Sequence, residues 1–152
     1  MGLDMYLHRQ NYVKNWDFMK PAERHTVSIK KGKKTRDDIK PERIAYVTEE
    51  VGYWRKFNAL HSWFVENVQN GDDNCGEYYV DRKLLEKLLE DMKSINNDKN
   101  IAEKVLPTSS GFFFGGTEYD DYYFSEIQRT IQLLEELLAE KSDGQFYYTS
   151  SW

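Results

Sequence analysis

The sequence predicts an α+β fold: three longer helices packed on a small, mostly antiparallel sheet, in a single domain. Three observations carry this. Long stretches repeat apolar residues at helical spacing, short stretches rich in β-formers lie near both ends, and no repeat or Pro/Gly/Ser-rich linker divides the 152 residues. The aromatic share is 15%, with 11 Tyr, 8 Phe and 4 Trp, so a core can be built from few large side chains. That composition excludes a disordered or collagen-like chain.

Leu3–Arg9 reads as an opening strand. Residues 14–43 are polar, contain Pro21 and Pro41, and read as a variable, partly irregular segment. Within it Thr26–Lys30 is a short strand candidate leading into a Lys-rich turn, and Ile44–Thr48 follows as another strand. The first helix is expected over about 49–69. On a wheel of 100° per residue, Tyr53, Phe57, Leu60, Phe64 and Val68 fall within about 80° of one another. Asn70-Gly71 ends it and opens a polar loop through Cys75 to Gly76. Glu77–Val80 reads as a short strand. Asp81 then caps a helix over about 82–96, whose apolar face is Leu84, Leu85, Leu88, Leu89, Met92 and Ile95. A short helix over about 98–105 stops before Pro107.

Gly111 to Gly116 encloses three phenylalanines between flexible glycines and reads as a buried aromatic turn. The last long helix, about 119–141, is capped by Thr117 or Asp120 and buries Phe124, Ile127, Ile131, Leu134 and Leu138. Gln145–Thr149 is the terminal strand. Because the ending keeps aromatics to Trp152, it is expected to dock into the body or into another subunit.

Composition also narrows function. A single cysteine, Cys75, excludes an intramolecular disulfide framework and fits a reducing compartment. His8, His25, His61 and Cys75 show no ligand pair at metal spacing, so neither a metal nor another cofactor is expected. The acidic loop after Gly71 fails the calcium-loop register. No apolar run reaches the ~20 residues of a membrane span, and the start lacks the layout of a secretory signal. The cytoplasm is therefore the expected location, without membrane association. Charge is divided unevenly. Residues 1–60 carry 13 Lys/Arg against 8 Asp/Glu, and residues 61–152 carry 8 against 18. The basic excess gathers in Lys30, Lys31, Lys33, Lys34 and Arg36. A net charge of −5 makes a dedicated nucleic-acid binder the less favoured reading of that cluster.

The stretch from Tyr53 to Phe64 holds the candidate site. The wheel sets Trp54, Asn58 and His61 on one edge of the buried stripe, with Arg55 one step further out. An aromatic, an amide, an imidazole and a guanidinium together can stack a ring, bond its edge and neutralise an anion. Trp63 falls on the otherwise polar face with Lys56. With Trp152, these two are candidates for a partner surface. A Cys75–His61 nucleophile pair is the least supported chemistry, since no activating motif surrounds it. No catalytic residue is assigned.

Several motifs recur together in a recognisable order. They are Met1-Gly-Leu-Asp-Met-Tyr-Leu7, Tyr53-Trp-Arg-Lys56 with Asn58, His61, Trp63, Phe64 and Val65, and Asn67 to Gly71 leading to Asp73 and Cys75. Leu106-Pro-Thr108, Gly111-Phe-Phe-Phe-Gly115, Tyr119-Asp120, Tyr148 and Ser150-Ser-Trp152 complete the set. The chain resembles, over nearly its whole length, an uncharacterised family of small proteins encoded by bacteriophages, prophages and their hosts. That resemblance implies a phage accessory protein in bacterial cytoplasm. With the candidate site, the expectation is a non-enzymatic, oligomeric protein that binds a small anionic ligand such as a nucleotide or nucleotide-derived signal. Such a protein could serve as an anti-defence sponge. The alternatives are a module that inhibits or redirects a host enzyme and, last, a small hydrolase or transferase using His61.

Overall fold

A computed structural model describes residues 2–152. Six strands occur in it: β1 (Asp4–Tyr12), β2 (Lys30–Lys31), β3 (Lys34–Thr35), β4 (Tyr46–Arg55), β5 (Tyr78–Val80) and β6 (Gln145–Ser151). The helices are α1 (Asn58–Asn67), α2 (Arg82–Asn97), α3 (Ala102–Val105) and α4 (Asp121–Ala139). The main sheet has the order β4-β1-β6-β5, with every neighbour antiparallel. The fold is α+β, with three longer helices and a four-stranded sheet, as expected. Among the described residues no helix is long and apolar enough to cross a membrane.

The sheet has one buried face. Met5 and Leu7 of β1 sit opposite Trp54 and Gly52 of β4, and opposite Ser150 and Tyr148 of β6. Arg9 continues the row opposite Phe146, which pairs in turn with Val80 of β5. All of these are buried or lack a side chain, and with Leu60, Phe64, Leu85, Leu88, Ile127 and Leu134 they make up the core. Arg9 ends the row as a cation. Its guanidinium pairs with Glu49 and Glu140, which keeps its charge compensated under the end of α4.

Sequence periodicity located α2 and α4 well. Asp81 caps α2 by accepting from Lys83 N, and Asp120 caps α4 by accepting from Tyr123 N. The buried stripe of α4 is rotated from the expected one. Tyr123, Ile127, Thr130, Leu134 and Leu137 are sealed, whereas Phe124, Ile131 and Leu138 are partly buried.

The expected helix over 49–69 is corrected. Its first third is strand β4, and only Asn58–Asn67 is helical. Val51-Gly-Tyr-Trp54 combines strand formers with a glycine that costs a helix interior about 1 kcal/mol, and β1 offers a complete ladder of backbone partners. A bulge between Leu7 and His8 places one extra residue, Val51, on β4. Lys56 then adopts φ +55°, which turns the chain from strand into helix. The terminal strand also settles its own docking: β6 lies inside the sheet between β1 and β5 of the same chain.

Gly52 is fixed by a close approach. A Cβ there would lie 2.6 Å from the Trp54 ring and 3.3 Å from Leu7 Cβ. Trp54 is fully buried and cannot give way. Gly52→Ala is therefore expected to destabilise the protein by about 1–3 kcal/mol, as overpacking does. Urea denaturation checks this, and an unchanged midpoint would show that the indole can shift.

Residues 13–45 form an arm that leaves the sheet where β1 and β4 would otherwise be joined by a tight turn. The Val13 N–H still donates to Ala45 O at 2.9 Å. No residue of the arm is buried. The expected strand at Thr26–Lys30 reduces to a two-residue ribbon, Lys30–Lys31 against Lys34–Thr35, around Gly32 at φ +60°.

Candidate functional site

The strand-to-helix correction separates the four residues expected on one helix edge. Trp54 and Arg55 end β4, and Asn58 and His61 lie on α1. Trp54 is 1% exposed, and its indole N–H donates to Thr130 Oγ1 of α4 at 2.8 Å. It packs at the sheet–helix interface and presents no face to a ligand. Arg55 is open to solvent and reaches Asp4 at 3.4 Å.

Asn58 is buried with its polar atoms occupied. Its Nδ2 donates to Phe114 O at 3.0 Å and to Gly116 O at 2.8 Å, while Oδ1 accepts from Ser109 N at 2.9 Å. One amide thus holds both ends of the 109–116 loop to α1. Gly115 completes this attachment. Its φ is +83°, and an added Cβ would come within 3.2 Å of Lys56 Cβ.

His61 is sealed as well. Nδ1 lies 2.7 Å from the Tyr148 hydroxyl, and Nε2 lies 3.0 Å from Asp73 Oδ2. Burial, reinforced by the Asp73 charge, pushes the Tyr148 phenol well above its ordinary value. With a neutral imidazole, the Tyr148 O–H donates to Nδ1. The carboxylate can only accept, so the imidazole proton sits on Nε2. Asp73 accepts a further bond from Trp152 Nε1 at 3.1 Å through its other oxygen. Phe114 packs edge-on against both His61 and Trp152. Cys75 is not among the bonded partners of His61, since Tyr148 and Asp73 take both ring nitrogens.

The partner-surface residues divide too. Trp63 is 8% exposed and packs edge-on against Phe64. The wheel gave it a polar face because it assumed a long surface helix. Seven of the ten residues of α1 are buried, so this short helix has little polar face. Trp152 is half exposed, with its outward reach limited by Asp73 and Phe114. Lys56 is exposed.

Beside this network lies a cleft of about 440 Å³. Arg55, Lys56 and Asn58 form one side, Gly115 and Gly116 another, and Glu118, Asp120, Tyr122 and Tyr123 at the start of α4 the third. Thr108 and Phe57 complete it. The Tyr122 hydroxyl donates to the Arg55 carbonyl, tying α4 to the end of β4. Burial raises the Tyr123 phenol far above its ordinary value, and it donates to Leu106 O at 2.8 Å. The cleft therefore carries two cations, two carboxylates and an apolar floor. Segment 14–43 contributes nothing to it.

Of the four residues expected to bind, Arg55 and Asn58 line this cleft, whereas Trp54 and His61 support it from within. Sequence reasoning read Gly111–Gly116 and Asp120 as structural alone, and it did not single out Tyr122 or Tyr123. The available signal was the glycine pair closing an aromatic run just before a helix cap. Among the described residues, no group of three or more His, Cys, Asp or Glu side chains gathers where it could hold a metal ion. No protein-family model, curated protein or solved structure matches the chain.

Proposed function

We propose that this protein binds a small anionic ligand in the cleft between the end of β4 and the start of α4, without transforming it. The supporting observation is the composition of that cleft. Arg55 and Lys56 provide cationic donors, Tyr122 provides apolar surface over the buried Phe57 and Tyr123, and Glu118 and Asp120 can accept from hydroxyl or amino groups. The two carboxylates disfavour a compact polyanion. They suit a ligand that is anionic at one end and rich in donors at the other, as a nucleoside phosphate is. The cleft volume fits a ligand of that size. The motif resemblance supports reading it as a phage accessory protein of bacterial cytoplasm, where sequestering a nucleotide-derived signal would serve the phage.

Isothermal titration with nucleoside mono-, di- and triphosphates and cyclic nucleotides tests the reading. One class is expected to bind with measurable heat. Arg55→Gln with Lys56→Gln is expected to weaken it at least tenfold, about 1.4 kcal/mol, while leaving the thermal midpoint close to that of the parent. No heat across the panel, or unchanged affinity in the double variant, rejects it.

A second reading, a module that engages a host protein, draws on Phe112. This ring is 94% exposed at the tip of the loop beside the cleft. Phe112→Ser would abolish capture of such a partner and leave nucleotide titrations unchanged.

A further inference from the structure

The face of the main sheet opposite the helices is uncovered and rich in tyrosine. Strand register identifies its members. Tyr6 lies opposite Tyr53, and Tyr12 opposite Tyr46. His8 lies opposite Tyr147, which lies opposite Tyr79. Six of the 11 tyrosines therefore stand on this one face. Tyr12, Tyr46, Tyr53 and Tyr79 are between 38% and 53% exposed. The rings form cross-strand pairs, with centroids 5.4 Å apart for Tyr6–Tyr53, 5.2 Å for Tyr12–Tyr46 and 6.0 Å for Tyr79–Tyr147. They sit in three cross-strand rows on the face opposite the buried core. Tyrosine is a residue type that interfaces concentrate, because it buries a large ring and keeps a polar tip.

The arm rises from the same face, since the Trp16 indole donates to the Tyr12 hydroxyl at 3.0 Å. Among the described residues, every hydrogen bond made by residues 13–45 ends within residues 12–45, for example Asn15 with His25 and Arg24 with the carbonyls of Trp16 and Met19. The arm carries ten Lys/Arg against five Asp/Glu, whereas the rest of the chain carries 11 against 21. Phe18 is 83% exposed on it.

We infer that this tyrosine face is the interface of a homodimer, in which two copies pack sheet to sheet and each basic arm reaches the acidic body of the other. Two arguments select a second copy over a polyanion. The first is charge. Asp4 and Glu50 accompany Arg55 on the sheet face itself, so the platform offers phosphates no net attraction, whereas arm and body carry opposite charges within one chain. The second is area. The four strands, 29 residues in all at about 3.3 Å each and about 4.8 Å apart, give a face of roughly 450 Å². A stable interface takes about 800 Å² per partner, and a 33-residue arm without a buried residue supplies the remainder. The inference is independent of any ligand in the cleft.

Sedimentation equilibrium tests it. The full chain is expected at twice 18.1 kDa. Tyr79→Lys with Tyr147→Lys places like charges directly opposite on the exposed face. It is expected to weaken the dimer at least tenfold and leave the monomer folded by circular dichroism. A second variant replaces residues 14–44 by Asn-Gly, which closes the β1–β4 hairpin and removes no buried residue. It is expected to weaken the dimer at least tenfold and to lose its salt dependence. A full chain that is monomeric at high micromolar concentration overturns the inference, as does either variant keeping the parent's mass. A monomer that binds an oligothymidylate through the arm overturns it in favour of single-stranded nucleic acid.

Discussion

Replacing Trp54 by alanine is expected to cost about 3–5 kcal/mol of stability, the usual penalty for removing a large buried aromatic. The indole lies fully buried, packs against Phe64 at 6.5 Å, and joins β4 to α4 through its bond to Thr130. The vacated volume cannot be refilled from Gly52, which has no side chain to contribute. Trp54→Phe keeps most of the ring and loses the bond to Thr130, whose hydroxyl can turn to a carbonyl of its own helix. That variant is expected to cost about 1–2 kcal/mol. Urea denaturation measures both. Nucleotide affinity of the phenylalanine variant is expected to match the parent, because Trp54 lies outside the cleft. A tenfold loss of affinity with stability intact would return Trp54 to the role of a stacking platform.

The second large effect is expected at His61. His61→Ala removes a buried ring and leaves the Tyr148 hydroxyl without its acceptor, for a loss of about 2–4 kcal/mol. Asp73 is partly exposed and recovers water, so the cost stays below that of stranding a fully buried charge. Tyr148→Phe keeps the ring stacked on Phe64 at 3.9 Å and is expected to cost about 1 kcal/mol. The two substitutions share one hydrogen bond, so their effects are expected to fall short of additive by more than about 0.5 kcal/mol. Strict additivity in a double-mutant cycle would show that the His61–Tyr148 bond contributes nothing. The His61 ring also supports Phe114, and through it the loop that carries Gly115 and Gly116 into the cleft. Any ligand binding there is expected to weaken together with stability in His61→Ala, which a surface histidine would not produce.

The sequence and the structure diverge most over 49–55. Tyr53, Phe57 and Leu60 satisfy a helical period, and the stretch is also rich in strand formers, so periodicity alone could not decide. The deciding partner is β1, whose Asp4–Tyr12 pairs with Tyr46–Arg55 across some forty residues of chain. Once Trp54 becomes a strand residue it faces the core with Met5, and a site drawn on one helix edge divides between a sealed tryptophan and an open arginine. Trp63 was misplaced for a related reason. A wheel assumes one wet side, and a ten-residue helix enclosed by sheet, loop and neighbouring helices has little of one. Asn58 and His61 were recognised as unusual, but their partners at Ser109, Phe114, Asp73 and Tyr148 lie up to 87 residues away.

What the sequence by itself determined is the set of local elements with strong signals. Helices α2 and α4 follow from long apolar stripes and aspartate caps, and the first and last strands follow from β-formers at each end. The α+β class follows from their order. These features depend on neighbours three or four residues apart, which a linear reading contains. Only the tertiary structure decided where 49–55 pairs, which tryptophans are sealed, how one asparagine holds the aromatic loop, and that six tyrosines gather on one open face. Each of these depends on contacts between residues far apart in the chain, which also fix the strand register.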